Sequence, residues 1–232
     1  MIVLTENWTR SYPGAAIGVA ALRNVVNPDR HEQLDERRKD LEKLLRDRFA
    51  SQDRAALKQH PIIQAYAAYY RQFGKTYHVQ LQLESVAFKG KSIPRASSLV
   101  EAMFLAELKN LILTAGHDLD QVRGQLVVDA AAGSEVYRTL DGHEQTLKPQ
   151  DMFIRDNEGV LSSVLYGPDF RTRITAKTSR IVFTVYAPEG IEPGAVENHL
   201  RELTENVRLV APQAEVESMG VYTGSGGPAA SR

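Results

Sequence analysis

Cysteine is absent from this chain of 232 residues. Disulfides, thiolate metal sites and a cysteine nucleophile are therefore excluded, and the composition suits a reducing compartment. Apolar residues make up 43% of the chain and charged residues 25%, which is the balance of a globular protein with a packed core.

Long hydrophobic runs are also lacking. The first residues of the chain form too short an apolar run, and turn acidic too soon, for a secretory signal. No stretch approaches the roughly 20 apolar residues that a membrane-spanning helix needs. We therefore expect a cytoplasmic protein without a membrane partner.

An excess of charge of one sign is missing as well, since the formal net charge is −1. Such a chain has no overall basic field for nonspecific nucleic-acid binding, so any RNA contact must come from a local patch. Two acid-free segments, 89–95 and 171–180, are candidates, although the second also fits an exposed sheet edge protected by charge. The RNA-binding residues predicted from them are Lys89, Lys91, Arg95, Arg173 and Lys177.

The motifs of nucleotide-dependent enzymes do not occur. The sequence has no P-loop, no dinucleotide-binding glycine fingerprint, no paired-histidine zinc helix and no serine nucleophile elbow. An ATP- or NAD-dependent enzyme is therefore disfavoured, and we expect neither a cofactor nor a metal.

What the sequence does contain is a helical first half. Asn27-Pro28 supplies an N-cap and a first-turn proline for a charged helix ending near residue 50. Apolar and aromatic residues recur at helical spacing over 62–73, before a C-terminal Gly74, and the tyrosines among them are expected in the core. The segment 78–91 fits a helix or a strand, with the helix favoured.

The clearest helix is predicted from a capping box. Ser98 and Glu101 have the spacing of such a box, and the helix is expected to run to about Thr114. Glu107 falls on its apolar side, where a carboxylate needs a partner or a function.

The second half is rich in short β-type runs separated by turn residues, and it ends with an amphipathic helix that begins at Pro193. The predicted strands are 126–130, 136–140, 152–154, 160–166, 171–174 and 181–186. Helices followed by a mostly antiparallel sheet predict the α+β class. We expect one domain over residues 1–222, with a helical part at about 27–74, a core at about 74–190, a closing helix at about 193–208 and a disordered tail over 223–232.

One segment, 116–120, lies between the capped helix and the first predicted strand of the sheet. In a functional interpretation His117 and Glu107 share a pocket, the histidine as proton carrier or hydrogen-bond donor and the glutamate as base or amine ligand. In the alternative, Asp118 and Asp120 cap a turn and the histidine lies beside them by chance. Spacing alone favours the alternative.

The order of several motifs is more specific than any one of them. The motifs are Leu99–Glu101, Gly116–Val128, Gly133–Glu135, Thr139–Gly142, Asp151–Gly159 and the pair Thr175 and Thr178. This ordered set resembles the B3/B4 domain, a module of the β subunit of bacterial phenylalanyl-tRNA synthetase that also occurs as free-standing proteins. The resemblance covers roughly Gly74 to Tyr186.

The resemblance implies an α+β fold with a pocket at the helix–sheet junction, which in the synthetase admits a wrongly attached tyrosine and hydrolyses its ester to tRNA. Glu101 and Phe104 depart from the family's aspartate and asparagine, and a Ser-Glu-Val of the family is replaced within 168–173. Tyrosine editing would then need Glu107 or Asp169 in place of the missing glutamate. The predicted catalytic residues are Glu107 and His117, and the predicted substrate-binding residues are Glu101, Asp118, Asp120, Glu135, Arg171 and Thr175.

Three functions follow as hypotheses. The first is an aminoacyl-tRNA-handling protein, either a deacylase or a binder of charged tRNA, in which Glu107 and His117 assist ester hydrolysis. The second is a non-catalytic pocket for an amino acid or related metabolite, with Glu107 on the amine and Arg171 on the carboxylate. The third is an interaction protein whose long N-terminal helix docks a partner.

Overall fold

The computed structural model describes residues 2–51 and 53–224. Seven α-helices occur in these two ranges. They are α1 (Glu6–Ser11), α2 (Glu32–Phe49), α3 (Arg54–Lys58), α4 (Pro61–Gln72), α5 (His78–Ala87), α6 (Ser98–Asn110) and α7 (Pro193–Val210). The helices predicted around 62–73, at 78–91 and from Pro193 are thus confirmed, and Gly74 ends α4 with a φ of 67°.

The strands form two main sheets and a small hairpin. They are β1 (Ile2–Leu4), β2 (Ala16–Arg23), β3 (Thr114–Asp118), β4 (Leu126–Ala130), β5 (Val136–Arg138), β6 (Glu144–Thr146), β7 (Met152–Arg155), β8 (Val160–Ser163), β9 (Gly167–Pro168), β10 (Arg180–Ala187) and β11 (Glu215–Thr223). One sheet has the order β1-β4-β7-β8-β9, the second has the order β11-β2-β10-β3, and β5 pairs with β6. Every pairing of named strands is antiparallel except β1 with β4, so the α+β class is confirmed.

The core lies where α6 and α7 pack against the four-stranded sheet. Strands β2 and β10 are central in that sheet and are buried along almost their whole length. Gly18 of β2 makes the close approach of α7 possible, because a Cβ at this position would lie 2.6 Å from Cγ1 of Val196.

The tyrosines of α4 belong to the core, as predicted, and they join this helix to both sheets. Tyr66 donates a hydrogen bond of 2.6 Å to the carbonyl oxygen of Tyr186 in the four-stranded sheet. Tyr70 donates one of 2.7 Å to the carbonyl oxygen of Val164, just after β8 of the other sheet. The rings supply buried area while their hydroxyl groups satisfy backbone acceptors.

The predicted start of the first long helix is wrong, because α2 begins at Glu32. Asn27 instead serves a helix far along the chain. Its Oδ1 accepts a hydrogen bond of 2.9 Å from the backbone N–H of Leu99, in the first turn of α6, and its Nδ2 donates one of 3.0 Å to the carbonyl oxygen of Thr175. Sequence spacing cannot reveal a cap that comes from another part of the chain.

The capping box predicted for α6 is also wrong. Ser97 is the N-cap residue, and Ser98 is already inside the helix. Glu101 pairs with Arg38 instead of closing the box. The helix ends at Asn110, because Leu111 takes the left-handed conformation with φ of 62°, and Thr114 belongs to β3.

Several strands were missed or misplaced. Strands β2 and β11 were not predicted, and residues 116–118 belong to β3 rather than to the connection before the first strand of the sheet. The predicted strand at 171–174 is irregular chain. Of the tail predicted from residue 223, Thr223 still belongs to β11, and 225–232 lie outside the described residues.

Among the described residues, no helix combines the length and the apolarity that crossing a bilayer requires.

Candidate functional site

A cavity of about 370 Å³ lies between α6 and the two main sheets. Residues of β3 and β10 line it from the four-stranded sheet, and residues of β8 and β9 line it from the five-stranded sheet. The volume lies at the small end of the usual range for ligand pockets. Its polar lining residues are His78, Glu107, Thr114, Ser163, Arg173 and Tyr186.

Helix α6 builds the apolar wall of the cavity. Val100, Met103, Phe104 and Glu107 all line it. Their spacing of three and four residues places them on one face of the helix, as the sequence predicted. A carboxyl group therefore lies in a wall that is otherwise hydrocarbon.

Glu107 is 3% exposed, and its Oε1 accepts a hydrogen bond of 2.9 Å from the backbone N–H of Thr114. Burial outweighs this hydrogen bond and raises the pKa of Glu107 to about 8. At neutral pH the group is therefore mainly the protonated acid, which offers the cavity an O–H donor. A general base would be the minor form.

His117 does not share the cavity with Glu107. Its side chain is completely buried in β3, with Nδ1 2.8 Å from Oγ1 of Thr172 and Nε2 3.1 Å from Oγ of Ser162. Burial lowers the pKa of His117 to about 3, so the imidazole is neutral. It lies behind the cavity wall, and the adjacent Gly116 is the residue that lines the cavity.

Three of the predicted substrate-binding acids have structural partners away from the cavity. Glu101 forms a buried ion pair of 2.9 Å with Nε of Arg38. Asp118 accepts a hydrogen bond of 3.0 Å from the backbone N–H of Asp120, which begins a short 3-10 turn. Asp120 itself pairs with Arg180 at 3.2 Å. The turn-capping alternative thus describes Asp118 correctly.

The other three predicted substrate-binding residues also hold the chain together. Glu135 accepts hydrogen bonds from the backbone N–H groups of residues 132–134. Arg171 pairs with Asp156 at 2.9 Å, and the Thr175 hydroxyl accepts a backbone N–H two residues further on. None of these three is among the residues that line the cavity.

Of the five predicted RNA-binding residues, Arg173 alone lines the cavity. Its guanidinium group stacks 3.8 Å from the ring centroid of Phe170 and donates to the carbonyl oxygen of Phe170. Arg95 is paired with Asp35 at 3.0 Å. Lys89, Lys91 and Lys177 are exposed. Residues 171–174 form no strand, so they do not provide the charged sheet edge that was the alternative for this segment.

Sequence reasoning missed most of the polar lining. Ser163 and Tyr186 each lie near the end of a correctly predicted apolar strand, where a single polar group gives little warning. His78 and Thr114 reach the cavity from the start of α5 and of β3. These groups meet because β3 and β10 of one sheet lie near β8 of the other, and this arrangement has no local signature in the sequence.

A model of the B3/4 domain matches residues 64–208, more than half of the chain. The chain belongs to the B3/4 domain family. It is 36% identical over 91 residues to the phenylalanine–tRNA ligase beta subunit of Anaeromyxobacter dehalogenans (strain 2CP-C). That match covers 35% of this chain and 11% of the relative, so the chain spans a small part of that protein.

A solved structure is similar as well. An N-terminal fragment of the phenylalanyl-tRNA synthetase beta-subunit from Pyrococcus horikoshii aligns with 93% of this chain and 50% of that chain. The TM-score is 0.48 and the sequence identity is 13%.

The cavity belongs entirely to the B3/4 segment, since its lining residues run from His78 to Tyr186. Two departures from the family pattern can now be located. Phe104, expected from the resemblance to stand where the family has an asparagine, lines the cavity. Of the two acids that could replace the missing glutamate, Glu107 lines the cavity, whereas Asp169 is buried with Thr172 outside it.

Proposed function

We propose that this protein handles aminoacyl-tRNA: the cavity takes up the aminoacyl group of a charged tRNA, and the ester bond to the tRNA is hydrolysed at its mouth. The observation that carries this proposal is the single buried carboxyl group, Glu107, in an apolar cavity of the B3/4 segment. An apolar wall suits an amino-acid side chain, and one convergent polar group gives it an orientation. A charged-tRNA partner would place this work in the cytoplasm.

The proposed reaction requires few catalytic groups. Water adds to the ester carbonyl carbon, the bond from that carbon to the ribose oxygen breaks, and a proton from the water ends on the ribose oxygen, so that the tRNA and the free amino acid are released. Positioning of the ester and stabilisation of the developing oxyanion are the main requirements. The acid form of Glu107 and the guanidinium group of Arg173 are two donors in the cavity lining that could serve this purpose.

A second candidate function is a pocket for a free amino acid or related metabolite, without catalysis. The way in which the arginines are paired favours it. Arg95, Arg171 and Arg180 of the two basic segments are all in ion pairs with acidic side chains. Paired arginines leave less positive charge for the tRNA backbone.

Deacylation of a panel of mischarged tRNAs by the wild type separates these candidates. We expect Glu107→Gln to reduce turnover at least about tenfold, because the amide keeps the volume and a donor but has no acid proton to pass to the leaving ribose oxygen. Glu205→Gln, which changes an exposed carboxylate on α7, is the matched control and is expected to keep wild-type turnover.

Absence of turnover together with saturable binding of a free amino acid would support the second candidate. A wild type that neither hydrolyses the esters nor binds tRNA or amino acids would overturn both.

A further inference from the structure

A row of buried polar side chains leads away from the cavity wall. The Tyr186 hydroxyl, which belongs to a cavity-lining residue, lies 2.6 Å from Oγ of Ser162. Ser162 reaches Nε2 of His117 at 3.1 Å, and Nδ1 of His117 reaches Oγ1 of Thr172 at 2.8 Å. Thr172 ends the row by donating to Asp169. All five side chains are at least 95% buried.

The positions of the hydrogens in this row follow from its last member. The Asp169 carboxyl group is surrounded by donors: the backbone N–H groups of Arg171 and Thr172, the Thr172 hydroxyl, and the Arg171 guanidinium group at 3.9 Å. It is therefore an acceptor, and the Thr172 hydroxyl gives it its hydrogen. The oxygen of Thr172 must then accept from Nδ1–H of His117.

The remaining hydrogen positions in the row are determined by His117. A neutral imidazole has one N–H, so once Nδ1 carries the hydrogen, Nε2 of His117 is an acceptor. The Ser162 hydroxyl donates to it, and the Ser162 oxygen in turn accepts from Tyr186. The Ser162 carbonyl oxygen, 3.0 Å from the Tyr186 hydroxyl, is an acceptor on the same side.

We propose that Ser162, His117, Thr172 and Asp169 are positioning residues that keep the hydrogen of Tyr186 turned away from the cavity, so that its phenol oxygen accepts a hydrogen bond from the ligand. This inference rests on the proposed function of the cavity. It makes Tyr186 a specificity-determining residue: the cavity favours ligands with an O–H or N–H donor at this point. Fixed acceptors discriminate well, because a ligand without the donor leaves them unpaired.

A second buried histidine provides an internal comparison. Nδ1 of His199 lies 3.2 Å from the amide nitrogen of Asn110, which has hydrogens to donate, and Nε2 lies 2.7 Å from Oγ1 of Thr114. Burial lowers the pKa of His199 to about 4, so it too is neutral. The structure thus assigns the hydrogen to Nε2 in His199 and to Nδ1 in His117.

Imidazole ¹⁵N chemical shifts of the full chain test the row without any ligand. We expect one buried histidine of each tautomer in the wild type, assigned by the loss of the respective signals in His117→Gln and His199→Gln. Thr172→Val removes the acceptor and should move the hydrogen of His117 to Nε2, whereas Thr172→Ser should retain it on Nδ1. An Nε2–H tautomer for His117 in the wild type would overturn the proposed row.

Binding of a matched pair of amides tests the role of Tyr186. Tyrosinamide and its O-methyl ether differ by one O–H donor. We expect the wild type to prefer the hydroxyl compound, and Tyr186→Phe to reduce this preference by about three- to tenfold, the effect of one hydrogen bond. Thr172→Val should also reduce the preference for the hydroxyl compound, because Ser162 then turns its hydrogen towards Tyr186. Thr172→Ser should restore the preference.

The outcomes separate this inference from the proposed function. If both amides bind the wild type and Tyr186→Phe leaves their ratio unchanged, the acceptor role is wrong while the cavity remains a ligand site. If neither amide binds, the acceptor role falls together with the cavity function, and the ¹⁵N spectrum still decides whether the row is ordered as described. Thermal unfolding of each variant identifies a loss of binding that is due only to misfolding.

Discussion

At the scale of single residues, the buried Glu107 should make stability depend on pH. Its pKa is raised from an ordinary 4.5 to about 8. Between these values the folded chain keeps a proton that the unfolded chain releases, so stability falls as pH rises, by up to about 1.4 kcal/mol per pH unit. Glu107→Gln cannot ionise. We therefore expect its unfolding free energy, relative to wild type, to increase from about pH 5 to about pH 8.

Denaturant unfolding at closely spaced pH values measures the difference in unfolding free energy between Glu107→Gln and the wild type. The contributions of the other titrating groups largely cancel in this difference. Glu205→Gln, on the exposed face of α7, should show no comparable trend. A flat difference for Glu107→Gln would mean that the carboxylate is already ionised in the folded chain.

Glu107 and His117 show how much of the site could be predicted from the sequence at the scale of single residues. Glu107 was placed correctly, because its position relative to Phe104 depends only on helical spacing. His117 was selected for chemistry but was placed in the wrong surroundings. Its partners Ser162 and Thr172 are 45 and 55 residues away, on a strand of the other main sheet and on an irregular segment, and only tertiary packing brings them to the ring.

At the scale of secondary-structure elements, the start of α6 depends on a side chain 72 residues earlier. Asn27→Ala would leave the Leu99 N–H and the Thr175 carbonyl group buried without these partners. We expect a loss of about 1 to 3 kcal/mol in the free energy of unfolding. Asn27→Asp keeps the acceptor for Leu99 and loses the donor to Thr175, so an intermediate loss is expected.

Urea unfolding checks this expectation. Asn198→Ala, on an exposed position of α7, is the matched control and should be neutral or slightly stabilising, because alanine is the better helix former. A loss for Asn27→Ala no larger than that of the control would show that water replaces the asparagine at the start of α6.

Elements defined by local signals were predictable, and those defined by distant partners were not. Gly74 ended α4 as expected, because a left-handed C-terminal residue is a local requirement. The true N-cap of α6 could not be found from a capping-box pattern, since Ser98 fits the pattern one residue inside the helix. Strand β2 was not predicted, because burial on both faces removes the alternation of a strand.

At the scale of the whole molecule, the order of helices and strands gave the α+β class but not the division into two sheets. The cavity exists because of that division, since β3 and β10 line one side of it and β8 and β9 another. Charge is also a property of this scale. With 28 basic and 29 acidic residues, and with many arginines held in ion pairs, the surface has little uncompensated positive charge.

This charge distribution predicts a shallow salt dependence for tRNA binding. Each phosphate contacted by a cation contributes roughly 0.7 to 0.9 to the slope of log K against log salt concentration. If the exposed Lys177 and the cavity-lining Arg173 provide the main contacts, the slope should be about −1 to −2. Lys177→Ala should make it shallower by about one phosphate, whereas Lys58→Ala, in the separate groove of α3 to α5, should not change it.

Binding titrations with one charged tRNA at several salt concentrations measure the slope. A slope as steep as about −6 would require many more phosphate contacts than Lys177 and Arg173 can make. The tRNA-binding surface would then lie elsewhere on the molecule. A measurable affinity with no salt dependence would instead mean that recognition is confined to the aminoacyl group in the cavity. In that case free amino-acid esters should compete with charged tRNA at comparable concentrations, because the nucleic acid would then add little binding energy.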